Sequence, residues 1–221
     1  MLTVSREIGV FRDTGDEGEI WYVCLVSRDL AWTMADSRFG EQAMKKMRIW
    51  AHQNLPPTSP NSERTRIMEC GTGNGTLLLS FLTSPSSTDE QRYHLTGTDY
   101  SAGSITLAKE VEESQRQALA EGDYDNDEEI VNDVTTDWRE VDLLRHDFEG
   151  EEWDLVLDKG TFDALCLSEE MVDGKLPSQI YPERIAKLVK DGGYFLITSC
   201  NFTEEEIKAR WSKEELGLEF Q

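Results

Sequence analysis

The chain has 221 residues, enough for one domain with a sizeable core, and none of its apolar runs is as long and uncharged as a bilayer-spanning helix requires. Its 44 acidic residues against 22 basic ones give a formal net charge of -22, which repels a phosphate backbone, sets nucleic acid aside and would steer a basic partner. With no secretory signal pattern and four scattered cysteines (Cys24, Cys70, Cys166 and Cys200) lacking metal or disulfide spacing, the expectation is a soluble cytoplasmic or nuclear protein with neither.

In chain order, residues 22–38 mix apolar and charged side chains without a helix or strand period. Thr65 to Glu69 reads as a buried strand, followed by Gly71, Gly73 and Gly75 and then a helix with Leu77, Leu78, Leu79, Phe81 and Leu82. A second strand, Leu95 to Thr98, ends at Asp99, and Ser101 caps a helix carrying Ile105, Leu107, Ala108 and Val111. The acidic run 121–129 reads as a solvated loop, and a third strand is expected near Trp138 to Val141. The fourth, Trp153 to Leu157, precedes Asp158-Lys159-Gly160-Thr161; Pro182 suits the first turn of a helix that Gly192-Gly193 ends. Tyr194 to Thr198 forms a fifth strand, and Thr203 with Glu206 makes a capping box for one more helix. Alternation of this kind predicts an α/β fold with a Rossmann-like, doubly wound, mostly parallel sheet, as a single domain over residues 1–221.

Glu69-Cys-Gly71-Thr-Gly73-Asn74-Gly75 lies between a strand and a helix, where glycines let a ligand touch the backbone. A nicotinamide site asks for a small residue three places after Gly73, where Thr76 stands, so the spacing favours S-adenosylmethionine over NAD. Asp99, followed by Tyr100, sits where a carboxylate can accept both ribose hydroxyls; its plain alternative is a helix N-terminal charge. Asp142 and Leu143 are candidates for the adenine, with Asp147 a competitor for Asp142. Asp158 is the candidate for handling the methyl acceptor and a further cofactor contact, though it could equally brace its own turn. Asn201 is a second acceptor-side candidate, Trp21 with Phe39-Gly40-Glu41 a lid over the cofactor, and His52, His94 and His146 show no metal spacing.

Glu69-Cys-Gly-Thr-Gly-Asn-Gly75, Thr98-Asp-Tyr-Ser101, Asp158-Lys-Gly-Thr-Phe-Asp-Ala164 and Ile197-Thr-Ser-Cys-Asn201 together resemble the eukaryotic lysine methyltransferases that modify translation elongation factor 1-alpha. The resemblance runs from about Gly15 to Thr203 and implies a class I, seven-stranded methyltransferase sheet, S-adenosylmethionine as donor and a lysine ε-amine as acceptor. Glu69, Gly71 and Gly73 match the family's cofactor loop, Asp99 its ribose contact, and Asp158 its acidic position after the fourth strand. Two departures stand out. Residues 22–38 separate Gly15-Asp-Glu-Gly-Glu-Ile-Trp21 from Phe39-Gly-Glu41, which the family joins directly, and are expected to be a retained intron that the natural message does not translate; the family's terminal hairpin is also expected to be missing. A small-molecule methyltransferase and an inactive cofactor-binding interaction module remain alternatives. A nucleobase acceptor is disfavoured, because Asp158-Lys-Gly-Thr161 replaces the N/D-P-P-aromatic turn that clamps a planar group.

Overall fold

The computed structural model describes residues 6–8, 39–59, 62–85, 90–122 and 129–220. Its strands are β1 Arg6–Ile8, β2 Thr65–Cys70, β3 Thr83–Pro85, β4 Arg92–Asp99, β5 Glu129–Val131, β6 Asp133–Glu140, β7 Trp153–Lys159, β8 Val189–Thr198 and β9 Leu218–Phe220. The helices are α1 Phe39–Asn54, α2 Thr76–Leu79, α3 Ala102–Glu121, α4 Thr161–Cys166, α5 Pro177–Ala186 and α6 Glu204–Trp211. They group into two compact units, residues 48–142 and residues 1–47 with 143–221. Trp21 and the segment 22–38 lie outside the described residues; of the acidic run, Glu121 closes α3, Glu129 opens β5, and 123–128 lie outside.

In the unit of residues 48–142, β2 pairs in parallel with β4, and β4 with β6. Ile67, Met68 and Cys70 are fully buried, the near-continuous apolar run of a strand covered on both faces. Ser101 caps α3 by accepting from the Ser104 amide at 3.3 Å, and Gly122 closes it at φ 72°. Ile105 and Ala108, three residues apart, share the buried face of α3. Leu107, expected on that face, is 47% exposed, because two residues turn a helix by more than half a circle. The long helix expected after the glycine loop is also shorter: α2 is one turn, followed by a 3-10 turn over Ser80–Leu82. Leu77, Leu78, Leu79, Phe81 and Leu82 are buried all round instead of along one stripe. The chain then extends into β3, which pairs antiparallel with β5, two strands too short to show a period. Buried Asn132 ties this strand pair down, donating to the Phe81 carbonyl and accepting from the Gln91 amide, each at 2.9 Å.

In the other unit β7, β8, β1 and β9 are successive parallel neighbours. Pro177, not Pro182, occupies the first turn of α5; Pro182 lies inside the helix and is buried. Leu188 falls beyond it, and Val189 already belongs to β8. Gly192-Gly193 therefore interrupts a strand instead of ending a helix. Gly192 has φ 75°, and a Cβ on Gly193 would lie 2.9–3.1 Å from the carbonyl oxygens of Lys190, Asp154 and Trp153. The pairing with β7 shifts there from Trp153↔Val189 to Leu155↔Tyr194, so the glycines absorb a bulge. Thr203 and Glu206 form the expected capping box of α6, and residues 218–220, to which no strand was assigned from sequence, add β9 beside β1. Parallel strands linked through helices in both units give the α/β, mostly parallel, Rossmann-like class expected from the sequence.

Candidate functional site

β2 delivers Glu69 and Cys70 into a loop that only glycine can trace without strain, since Gly71, Gly73 and Gly75 have φ of 64°, 55° and 76°. Their surroundings differ. A Cβ on Gly73 would meet nothing within 4 Å, whereas one on Gly75 would lie 2.7 Å from Trp138 Cη2. Gly75, read from sequence as a ligand contact, thus makes room for an indole that also lies against Gly97 of β4. Trp138 Nε1 donates to Glu112 Oε2 at 2.6 Å. Partial burial opposes ionisation of Glu112, but donors from Trp138, Thr136 and Arg116 prevail and hold its carboxyl below its ordinary value.

Gly73 and Asp99, 26 residues apart, meet: the Gly73 amide donates to Asp99 Oδ2 at 3.0 Å, and the Ser101 amide to Asp99 Oδ1 at 2.9 Å. Asp99 is 7% exposed, and each oxygen retains an unused lone pair in these bonds. Glu69 is buried behind the loop; its Oε2 accepts the Thr72 hydroxyl at 2.7 Å and its carbonyl accepts the Thr98 hydroxyl at 2.9 Å. Asn74 is exposed and accepts from the Thr76 amide and hydroxyl at 3.3 and 2.7 Å. Tyr100 is 82% exposed. Asp142 is half-buried at the end of this unit. Leu143, in the other unit, lines a cavity of about 130 Å³ with His146, Phe148, Arg184 and Leu188.

Asp158 lies within β7 and is fully buried. Its Oδ1 accepts the Thr161 amide at 2.8 Å, and its Oδ2 accepts the Phe162 amide at 3.0 Å and the Tyr181 hydroxyl at 2.9 Å. Burial pushes its carboxyl up to about 7 against these donors, with Asp163 adding to the rise. This carboxylate holds the Lys159-Gly160-Thr161 turn and the start of α4. Asn201, beyond β8, is exposed, and the loop that carries it is held at Ser199 and Cys200. Asp163 of α4 accepts the Ser199 hydroxyl at 2.5 Å and the Cys200 amide at 2.7 Å. The Cys200 thiol, pushed up to about 11 by burial and by Asp163, stays protonated and donates to Asp163 Oδ2 at 3.2 Å.

Thr72, Asp163, Tyr181 and Ser199 were not singled out from sequence. Asp163 and Ser199 stood inside recognised motifs without a role, while Tyr181 carried no local signal, meeting Asp158 from 23 residues away. No group of His, Cys, Asp and Glu among the described residues could hold a metal, and no helix among them is long and apolar enough to cross a membrane.

Residues 61–218, which run through both units, match the family model described as a methyltransferase domain. Over 213 residues the chain is 30% identical to "Protein-lysine N-methyltransferase efm4" of Schizosaccharomyces pombe, covering 95% of this chain and 76% of that protein. It is 30% identical to "EEF1A lysine methyltransferase 2" of Danio rerio, covering 92% of this chain and 67% of that protein, and 27% identical to the Homo sapiens protein of that name, covering 95% and 69%. Among solved structures, the [4+2]-cyclase SpnF aligns with a TM-score of 0.48 at 15% identity, covering 76% of this chain and 48% of that one.

Proposed function

The chain belongs to the methyltransferase-domain family, and we propose that it is an S-adenosylmethionine-dependent protein-lysine N-methyltransferase acting on translation elongation factor 1-alpha. One observation carries the cofactor: an open, left-handed Gly73 whose amide is fixed to the carboxylate of Asp99. Gly71 and Gly73 admit close approach to the backbone, Asp99 has lone pairs for two ribose hydroxyls, and acidic Glu69 and Asp99 complement a cationic ligand. Trp21, Asn74, Tyr100, Asp142 and Leu143 remain assigned to the same ligand on their sequence positions.

S-adenosylmethionine, when bound, supplies an electrophilic methyl group on a sulfonium. A lysine ammonium has no lone pair, so the protein must let it shed a proton and then hold the amine in line. In this reading buried Asp158 holds the turn after β7, and exposed Asn201 serves the acceptor side. The EEF1A in the names of the Danio rerio and Homo sapiens relatives supports the acceptor protein, and the cytoplasm is the location proposed for this chain.

Two measurements test the reading. Asp99→Ala is expected to weaken S-adenosylmethionine binding by about 1.5–3 kcal/mol in calorimetric titration, the worth of hydrogen bonds to a charged group; an unchanged Kd removes Asp99 from the site. Purified elongation factor 1-alpha incubated with labelled cofactor and the full chain is expected to take label on a lysine. A chain that binds the cofactor but leaves this protein unlabelled has a different substrate.

A further inference from the structure

We infer that Asp163 is a positioning residue for the acceptor side, setting the place of Asn201 through Ser199 and Cys200; this rests on the reading of Asn201 given above. Asp163 lies in the first turn of α4, where an acidic side chain would ordinarily serve the helix's own amides. Here Asp158 accepts the Thr161 and Phe162 amides instead. Both oxygens of Asp163, 5% exposed, turn to the loop after β8, which lies 36 and 37 residues away.

The Ser199 hydroxyl has one proton and donates it to Asp163 Oδ1. Its lone pairs are thereby aimed at the Asn201 amide, 3.3 Å away, and the Phe202 amide, 3.2 Å away. The Cys200 amide and thiol both donate to Oδ2, and the same thiol lies 3.8 Å from Asn201 Oδ1. The carboxylate thus fixes the backbone of residues 199–202 by acceptance alone. An amide at 163 would point an N–H at one of these donors and break the set. Phe202 is pinned independently, by the Phe162 ring at 5.5 Å and the Arg210 guanidinium at 4.4 Å, so loss of the network shifts Asn201 without freeing the whole loop.

The test uses the full chain, labelled S-adenosylmethionine and elongation factor 1-alpha. Asp163→Asn and Ser199→Ala are each expected to lower kcat about tenfold or more, with the cofactor Kd within twofold of wild type. Ser199→Ala leaves the carboxylate in place and so covers the case in which Asp163→Asn fails to fold. In an Asn201→Ala background either change is expected to cost little more. The same factor in both backgrounds, or a loss of cofactor binding equal to the loss of kcat, reduces Asp163 to a fold residue and overturns the inference. Asn201→Ala with wild-type turnover removes Asn201 from the acceptor side and overturns it by another route. A wild type that labels no protein defeats the proposed function itself, a result distinct from both.

Discussion

A methyl group added at Gly73 and one added at Gly75 would meet different things, and that separates binding from packing. At both positions alanine must adopt a positive φ, at a cost of roughly 1–2 kcal/mol. At Gly75 it also drives into the Trp138 ring, 2.7 Å away, which adds the strain of overpacking, about 1–3 kcal/mol. Gly73→Ala is therefore expected to fold with a modest loss in urea denaturation and to bind S-adenosylmethionine at least tenfold more weakly. Gly75→Ala should show the larger stability loss of the two. Equal cofactor affinity in Gly73→Ala and wild type would mean that no ligand approaches that backbone. Asp158 offers a pH signature. Its folded value near 7 lies above the ordinary 3.8, so between these the folded state keeps a proton that the unfolded chain has released. The stability it contributes is whole below about 4 and declines as pH rises through 7. Asp158→Asn keeps an acceptor for the Thr161 and Phe162 amides and has no such titration. The melting-temperature advantage of wild type over this variant is expected to shrink from pH 5 to pH 8; a constant gap would show that Asp158 ionises normally.

Helix α6 is held by rings. Trp211 is fully buried with Phe195 at 4.6 Å, Phe162 at 5.4 Å and Tyr181 at 6.1 Å between centroids, and its indole N–H has no acceptor among the described residues. Trp211→Phe gives up volume but also removes a buried unsatisfied donor, terms of about 1–3 kcal/mol that oppose each other. Trp211→Ala has no such offset and is expected to cost about 3–5 kcal/mol in chemical denaturation. A phenylalanine variant as unstable as the alanine one would show that the N–H has a partner. The capping box Thr203/Glu206 and the Ser101 cap were legible because a cap is a contract between residues three apart. Pro182 and Gly192-Gly193 misled for the opposite reason. Proline and glycine report a local permission, and only β7 pairing to β8 turns the glycines into a bulge instead of a helix end. The same division runs through the site. Gly73 and Asp99 could be placed because both stand at strand ends, where the fold class itself brings them together. Asp163 could not be given its role, because its partners arrive from a loop 36 residues on.

For the molecule as a whole, a net charge of -22 bears on encounter more than on fold. Three of the acidic groups, Glu69, Asp99 and Asp142, are assigned to the candidate cofactor site, but most of the 44 carboxylate residues have no place in the proposed chemistry. Their joint effect is a long-range field, and its reach falls with the Debye length, from about 10 Å at 0.1 M salt to about 3 Å at 1 M. If the proposed protein substrate is basic, it feels that field over its whole approach. S-adenosylmethionine, with one net positive charge, feels it only weakly beside the hydrogen bonds that would hold it. Raising salt from about 0.05 to 0.3 M is therefore expected to lower kcat/KM for elongation factor 1-alpha by roughly tenfold, mainly through KM. The cofactor Kd should move less than twofold over the same range. A protein KM insensitive to salt would assign the acidity to solubility and leave recognition of the substrate to short-range contacts.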